Sequence, residues 1–368
     1  MFFNLQNLVI MKRFQRVLII TPSMCKGGAE TQLVKVALHL QSNFNKVLIV
    51  SLKPIDQFNG DLQKFGLNVL FLNNWSSHSF SNLRTIYTTI KTFKPNVVIA
   101  FMFIAIIFAR LFKLIFRFKL ISTIRNSVIK KKWFIPFKVT SSIDDIIVYN
   151  SFASKSNFEK RNLVKRNGIV INNGIYLPPL KNTKGYDKSK DQFVWICMAH
   201  FSYNKDYHTL FKAIKLIKNK NFRVDIIGEL NNEVWPFELV EELGIKDYVN
   251  ILGYKKNIGT YLNQSDAFVM SSHYEGMANA ILEAMAHAKP IVVTDIDGNN
   301  ELLRDGQCGF LCKKQNEHDM ADNMIKVMEM ETAERNKLGQ KGRRYIESHF
   351  KEDKVMNNWM NLVNEIAE

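Results

Sequence analysis

Apolar residues recur along this chain in two alternating rhythms. Arg16-Val-Leu-Ile-Ile-Thr21 is a short β-branched run closed by Pro22. Lys26-Gly-Gly-Ala-Glu30 then opens a stretch in which Leu33, Val36, Ala37 and Leu40 fall at helical spacing. The pattern predicts strand, glycine loop, helix. Lys46-Val-Leu-Ile-Val-Ser51 and Asn68-Val-Leu-Phe-Leu72 read as further strands, 82–93 as a helix, and Asn96-Val-Val-Ile-Ala100 as a fourth strand after Pro95. Ile146-Ile-Val-Tyr149 and Ile169-Val-Ile171 complete this half. Asn172-Asn-Gly-Ile175 and Pro178-Pro179 break the rhythm, and the polar stretch 181–191 reads as a linker. The alternation then restarts, with strands at 193–198, 222–227, 249–252, 267–270 and 291–294 and helices at 207–218 and 278–288. Apolar strands alternating with helices predict parallel sheets covered on both faces. The fold class is therefore α/β, with two Rossmann-like halves and a cleft between them. Ligands of such sheets collect at the carboxyl ends of strands, where Gly27-Gly28, Gly228, Gly253 and Glu275-Gly276 fall.

Composition supports two domains of ordinary size: 368 residues, 46% hydrophobic, with 17 Gly and 8 Pro. Fibrous, collagenous and wholly disordered readings drop out. Four cysteines without a Cys-x2-Cys pair make neither a disulfide scaffold nor a zinc site, and Cys308 and Cys312 read as packing residues. Met1 to Arg16 lacks a clean apolar core followed by a small-residue cleavage site, so a reducing, cytosolic location is expected. The apolar run 97–109 stops at Arg110 after 13 residues, short of the ~20 that span a bilayer.

Charge changes the picture more. The net charge is +16, but residues 1–180 hold 25 basic and 6 acidic side chains, so the first half is +19 and the second −3. No acid lies between Asp61 and Asp144. The first half should therefore face anions: nucleic acid, phosphorylated substrate or acidic headgroups.

The chemistry concentrates in Ser271-Ser-His-Tyr-Glu275-Gly-Met-Ala-Asn-Ala-Ile-Leu-Glu283-Ala-Met-Ala. Glu275 sits between a buried strand and a helix, and Glu283 inside that helix. The amides of Gly276, Met277, Ala278 and Asn279 would be the orphan donors of its first turn, an anion site. Two carboxylates beside a phosphate site suit a nucleotide sugar, whose hydroxyls they can accept. The same residues equally suit an acid favoured by the helix dipole beside a solvated helical Glu.

This segment resembles the signature of the family 4 retaining glycosyltransferases of the GT-B fold. Flanking similarities occur at Gly27-Gly-Ala-Glu30, Asn173-Gly-Ile175, Lys205-Asp206, Gly298-Asn-Asn-Glu301 and Asp305-Gly-Gln-Cys-Gly309. The resemblance implies an N-terminal acceptor-binding domain (1–178), a C-terminal nucleotide-sugar domain (179–345), and a helix (346–368) returning to the first domain. It implies a hexosyl transfer from a nucleotide sugar, UDP-linked by expectation, to a lipid-linked or polysaccharide acceptor in cell-surface glycan synthesis. By the same resemblance Glu275 contacts donor-sugar hydroxyls, Glu283 holds the ribose and Lys205 neutralises the diphosphate, with Gly253, Gly27 and Gly28 also on the donor side. Where the family carries an Arg, this chain has His200, which offers fewer donors than a guanidinium. The family's first-domain His is absent from Ala100-Phe-Met-Phe103. Asp295-Ile-Asp297 spells Asp-x-Asp, a metal motif of another transferase fold. With Lys205 supplying charge, no metal or other cofactor is expected.

The acid-free segment falls on the acceptor side. Phe108-Ala-Arg-Leu-Phe-Lys-Leu-Ile-Phe-Arg-Phe-Lys119 interleaves rings with cations, as does Lys130-Lys131-Lys132-Trp133-Phe-Ile-Pro-Phe-Lys138. With Arg125, these suit an acceptor-binding face seated on an anionic membrane, at the inner face of the cell membrane. A nucleic-acid-binding protein also fits basic and aromatic residues but leaves Glu275 and Glu283 without a role, so no nucleic-acid partner is expected. A nucleotide-sugar epimerase of the same fold is the nearer alternative.

Overall fold

The computed structural model describes residues 15–43, 46–58, 60–166, 168–179, 192–230 and 232–368. The linker expected at 181–191 and the N-terminal stretch through residue 14 lie outside the described residues.

The strands form two all-parallel sheets. The first joins β1 (Arg16–Thr21), β2 (Lys46–Ser51), β3 (Asn68–Phe71), β4 (Val97–Phe101), β5 (Lys119–Ile124), β6 (Ile146–Tyr149) and β7 (Ile169–Val170) in the order β3-β2-β1-β4-β5-β6-β7. The second joins β8 (Phe193–Met198), β9 (Phe222–Ile227), β10 (Val249–Gly253), β11 (Ala267–Met270), β12 (Ile291–Thr294) and β13 (Gly309–Cys312) in the order β10-β9-β8-β11-β12-β13. In both sheets the order reverses beside the first strand, the topological switch point at which α/β sheets bind ligands. This is the doubly wound, two-sheet GT-B architecture.

Two strands escape the sequence pattern. β5 begins at exposed Lys119 and carries Ser122 and Thr123, both fully buried, so its apolar rhythm is broken inside the cationic stretch. β13 is only four residues long. The helix expected at 82–93 begins earlier, at Trp75, where the indole donates to the Leu52 carbonyl at 2.6 Å, and its backbone is non-helical at His78.

Each sheet is buried on both faces. One apolar cluster serves the second domain, while the first sheet has a cluster on either side. The chain's last helix, Glu352–Ala367, completes one of these: Val355, Met356, Trp359, Met360 and Val363 pack with Val17, Ile19, Leu33 and Val36 of the first domain. The helix before it, Thr332–His349, stays with the second domain through Ile346, as does Phe350. The crossing therefore falls at residues 350–352, later than the sequence boundary at 346. Paired backbone bonds, Ile175 to Phe350 and Glu352 to Ile175, fasten it to the other interdomain connection. All four cysteines are free, and Cys308 and Cys312 are buried in the core.

Candidate active site

A cleft of about 570 Å³ opens between the two domains. From the first domain come Lys26, Gly27, Gly28, Phe58, Arg125, Asn150 and Asn173. From the second come Ala199, His200, Asn204, Lys205, Tyr254, Lys255, Glu275, Met277, Ala278, Asn279 and Glu283.

After β8 the chain makes a single turn, Tyr203–Lys205, and Asp206 takes a left-handed conformation (φ 39°) to start the helix Tyr207–Leu216. Ser271, at the end of β11, donates through Oγ to the Asp206 carbonyl at 2.8 Å, and the Tyr207 hydroxyl donates to the Ala199 carbonyl at 2.6 Å. These bonds fix the turn, and with it Lys205. Lys205 Nζ donates to Glu275 Oε1 at 2.6 Å, with both side chains largely buried. Asn204 Nδ2 (3.3 Å) and Ser272 Oγ (3.5 Å) donate to the same oxygen. Glu275 is thus fixed by three donors on one oxygen, while Oε2 accepts from none of the described residues. The two residues assigned separate tasks from the sequence form one ion pair.

Glu275 leads into the helix Asn279–Ala286, one residue later than its expected start. Ala278 provides no side-chain cap and the first turn has no acid. Among the described residues none accepts from the amides of Gly276 to Ala280, as expected where a ligand is to supply the acceptor. Glycine at 276 is a steric requirement: a Cβ there would sit 2.8 Å from the Arg125 carbonyl oxygen and 3.1 Å from Asn126 Cα. Gly276 thus brings the loop against the end of β5. Gly253 ends β10 with φ 68°, which favours glycine, and its neighbours Tyr254 and Lys255 line the cleft.

Glu283 lies one turn inside that helix, where burial pushes its carboxyl up to about 7 against the opposing pull of Lys35. His200 accepts the Glu229 amide through Nδ1 at 3.1 Å. That bond selects the tautomer protonated at Nε2, so His200 brings a single neutral donor to the cleft. Gly27 and Gly28 line the opposite wall, and Asn279 Nδ2 donates across to the Gly28 carbonyl at 3.2 Å. Glu30, in the first turn of the helix Gly28–Ser42, is largely buried and bonds its own amide, so that helix end already holds a carboxylate.

The cationic segment divides in a way the sequence does not show. Arg125 lies in the cleft, not on an outer face, because β5 ends there. Arg110 is fully buried, bound through Nε and Nη2 to Asp144 at 2.8 and 2.5 Å. Phe112 and Phe118 are buried too and Phe108 and Phe116 pack half-buried against the core, so the rings at 108–119 turn inward while Leu111, Leu114 and Ile115 stay exposed. Lys130, Lys131 and Lys132 are exposed, and Trp133 is half-buried against the core. Asp295 and Asp297 are exposed and absent from the cleft lining, Asp295 accepting from Asn300. Among the described residues no three His, Cys, Asp or Glu side chains group as metal ligands. No described helix is long and apolar enough to cross a membrane.

Sequence reasoning assigned no role to Lys26, Tyr254, Lys255 or Glu301. Lys26 Nζ lies 5.4 Å from the Tyr254 ring centre, joining the two walls. Glu301 accepts from the amides of Phe152 (3.2 Å) and Ala153 (3.0 Å), capping the first-domain helix Phe152–Lys160 from the second domain. The signal for Glu301 was the stretch Gly298-Asn-Asn-Glu301, which the structure folds into the start of the helix Asp297–Gly306.

Residues 181–345 match the family described as glycosyl transferases group 1. The match takes in the second domain, from before β8 to beyond β13. Over 187 residues the chain is 31% identical to the putative glycosyltransferase EpsD of Bacillus subtilis, covering 49% of each chain. It is 30% identical over 173 residues to the Escherichia coli UDP-Gal:alpha-D-GlcNAc-diphosphoundecaprenol alpha-1,3-galactosyltransferase, covering 43% of this chain and 44% of that one. The matches span about half the length of these curated relatives. The Anabaena Alr3699/HepE structure, in complex with UDP and glucose, superposes with a TM-score of 0.82 over 95% of this chain and 99% of that one, at 19% identity.

Proposed function

We propose that this protein is a retaining glycosyltransferase that moves a hexosyl group from a UDP-sugar to a lipid-linked or polysaccharide acceptor in cell-surface glycan synthesis, without a metal ion. The observation that carries the reading is the convergence, in one interdomain cleft, of the Lys205–Glu275 pair, the unsatisfied amides of 276–280 and Glu283. The E. coli relative, named for a UDP-sugar donor and a diphosphate-linked lipid acceptor, supports the finer reading.

The diphosphate sits against the start of the helix Asn279–Ala286, where backbone donors and the helix dipole favour negative charge. Lys205 has three ammonium hydrogens, so it can bind a phosphate oxygen while still orienting Glu275. Glu275 accepts from sugar hydroxyls and Glu283 from the ribose. As the bond from the anomeric carbon to the diphosphate breaks, negative charge grows on the leaving oxygen, and these fixed donors stabilise it. The acceptor hydroxyl attacks from the face the diphosphate leaves, and a departing phosphate oxygen takes its proton. His200 adds one neutral hydrogen bond.

The protein works on the inner face of the cell membrane, held there by an apolar and cationic surface on the first domain.

The test is to incubate the purified chain with candidate UDP-sugars and membrane extract and to follow the sugar. Transfer to acceptor with release of UDP is expected, and Glu275→Ala should abolish it while the protein stays folded, its melting temperature lowered because Lys205 loses its counter-ion. An isomerised sugar still attached to UDP would favour the epimerase, and full transfer by Glu275→Ala would overturn the assignment.

A further inference from the structure

We propose that Arg125 is a phosphate-binding residue contributed to the cleft by the first domain. The inference rests on the reading of the cleft as a site for a phosphate-bearing substrate and adds a residue to it.

Arg125 follows β5 and is only 8% exposed. Its Nη1 donates to Asn173 Oδ1 at 3.1 Å and lies 3.5 Å from the Ile171 carbonyl. Nε and Nη2 are buried, and among the described residues neither has a hydrogen-bond partner and no carboxylate forms an ion pair with Arg125. The guanidinium is 5.3 Å from the Phe101 ring centre and 5.4 Å from that of Trp359. Aromatic faces attract a cation but do not neutralise it. Burial draws its pKa down to about 9, which still leaves it charged at neutral pH.

Arg110, in the same domain, is what a structural buried arginine looks like. Its Nε and Nη2 edge grips both oxygens of Asp144, while Nη1 bonds the Phe137 carbonyl and Thr140. The Nε and Nη2 edge of Arg125 is the one that has no protein acceptor. A buried charge without a counter-ion is costly to fold around, and such groups concentrate at functional sites. That edge, closed to solvent in this conformation, carries two parallel donors, the geometry that takes up two oxygens of a phosphate once the cleft admits one.

Its surroundings point to the same ligand. Asn173, which holds Arg125, also donates to Asn279 Oδ1 at 2.7 Å, at the start of the helix whose amides are unsatisfied. The Arg125 backbone packs on Gly276, next to Glu275. It is the one arginine among the described residues lining the cleft, and the second domain supplies a neutral His200 where a guanidinium would serve. The phosphate belongs either to the nucleotide or to a phosphorylated acceptor.

Calorimetric titration of the full chain with inorganic pyrophosphate and with UDP, on the parent, Arg125→Lys and Arg125→Met, decides the matter. Arg125→Met should weaken pyrophosphate binding by about tenfold or more, and Arg125→Lys should recover part of the loss, since it restores charge without the two-pronged edge. If UDP binding falls in parallel, the phosphate is the nucleotide's. If UDP binding holds while KM for a diphosphate-linked acceptor rises and kcat is retained, it is the acceptor's. Pyrophosphate and UDP binding within about twofold of the parent, with unchanged acceptor KM, would overturn the proposal. Failure of the parent itself to bind UDP would instead count against the reading of the cleft.

Discussion

Glu283 carries a proton where carboxylates ordinarily do not. Burial, opposed by Lys35, raises its pKa from 4.5 to about 7. Between those values the unfolded chain has released the proton and the folded chain retains it, so its contribution to stability is present at low pH and falls as pH rises through this window. Glu283→Gln imitates the protonated form at every pH. At pH 4 parent and variant should melt together, whereas at pH 8 the variant should be more stable by roughly 2 kcal/mol, an allowance that discounts partial solvation. Thermal melts at both pH values check this, and coincident curves at pH 8 would remove the buried-carboxylate account. The variant should also bind UDP less tightly above pH 7, since an amide accepts from a ribose through one oxygen only. Glu275 and Glu283 were legible as a pair because their types and spacing sit on a strand-loop-helix pattern. The Lys205–Glu275 contact was not, since 70 residues separate partners that meet through the β8–β11 pairing. Nor was the contrast between Arg110 and Arg125. Both are arginines in one acid-free stretch, and only the packing of β5 and Asp144 tells them apart.

Elements were legible where burial on both faces produced unbroken apolar runs, as in β1, β4, β8 and β12. They were not where a strand carried buried polar groups, as β5 does at Ser122 and Thr123, because alternation fails once tertiary bonds replace apolar packing. Ends were less legible still. The helix Trp75–Phe93 begins seven residues before its periodic part, held by an indole bond to a distant strand. The helix Phe152–Lys160, which the apolar pattern does not mark, starts from a cap by its own Ser151 and by Glu301 from the other domain. Nothing local announces such a cap. Its two charge-assisted bonds meet the positive end of that helix, so Glu301→Ala should loosen the seam between domains by about 1–2 kcal/mol. Amide exchange at Phe152 and Ala153 should quicken in the variant, while exchange in β1 and β8 stays as in the parent. Equal protection of the two amides would mean that Glu301 does not hold them.

At the scale of the molecule, the +19 of the first half separates into cations used inside and cations turned outward. Arg110 is spent on Asp144 and Arg125 on the cleft, whereas Lys130, Lys131, Lys132 and Lys138 remain exposed. Around them lie apolar side chains that have no place in the core: Leu114 and Ile115 after the helix Phe103–Lys113, and Ile135 (71% exposed) and Val139 on the neighbouring helix Lys131–Val139. Phe116, in ring contact with Tyr87 at 5.1 Å, extends this surface towards half-exposed Leu83 and the largely exposed Phe80. Rimmed by cations, an apolar patch of this kind suits shallow insertion among acidic headgroups. The apolar side of this surface is thus mainly aliphatic, with Phe80 and Phe116 adding rings at its edge. Flotation with phosphatidylcholine vesicles, with and without phosphatidylglycerol, separates the two contributions. The parent should float only with the anionic lipid, and less as salt rises. Replacing Lys130, Lys131 and Lys132 with Gln should weaken partitioning by roughly 3 kcal/mol, about 1 kcal/mol per cation, and abolish most of the salt dependence. Ile115→Ser with Ile135→Ser should reduce binding at every salt concentration yet leave the melting temperature nearly unchanged, because exposed positions contribute little to the fold. Absence of salt-sensitive flotation by the parent would remove the membrane from this protein's partners without touching the cleft.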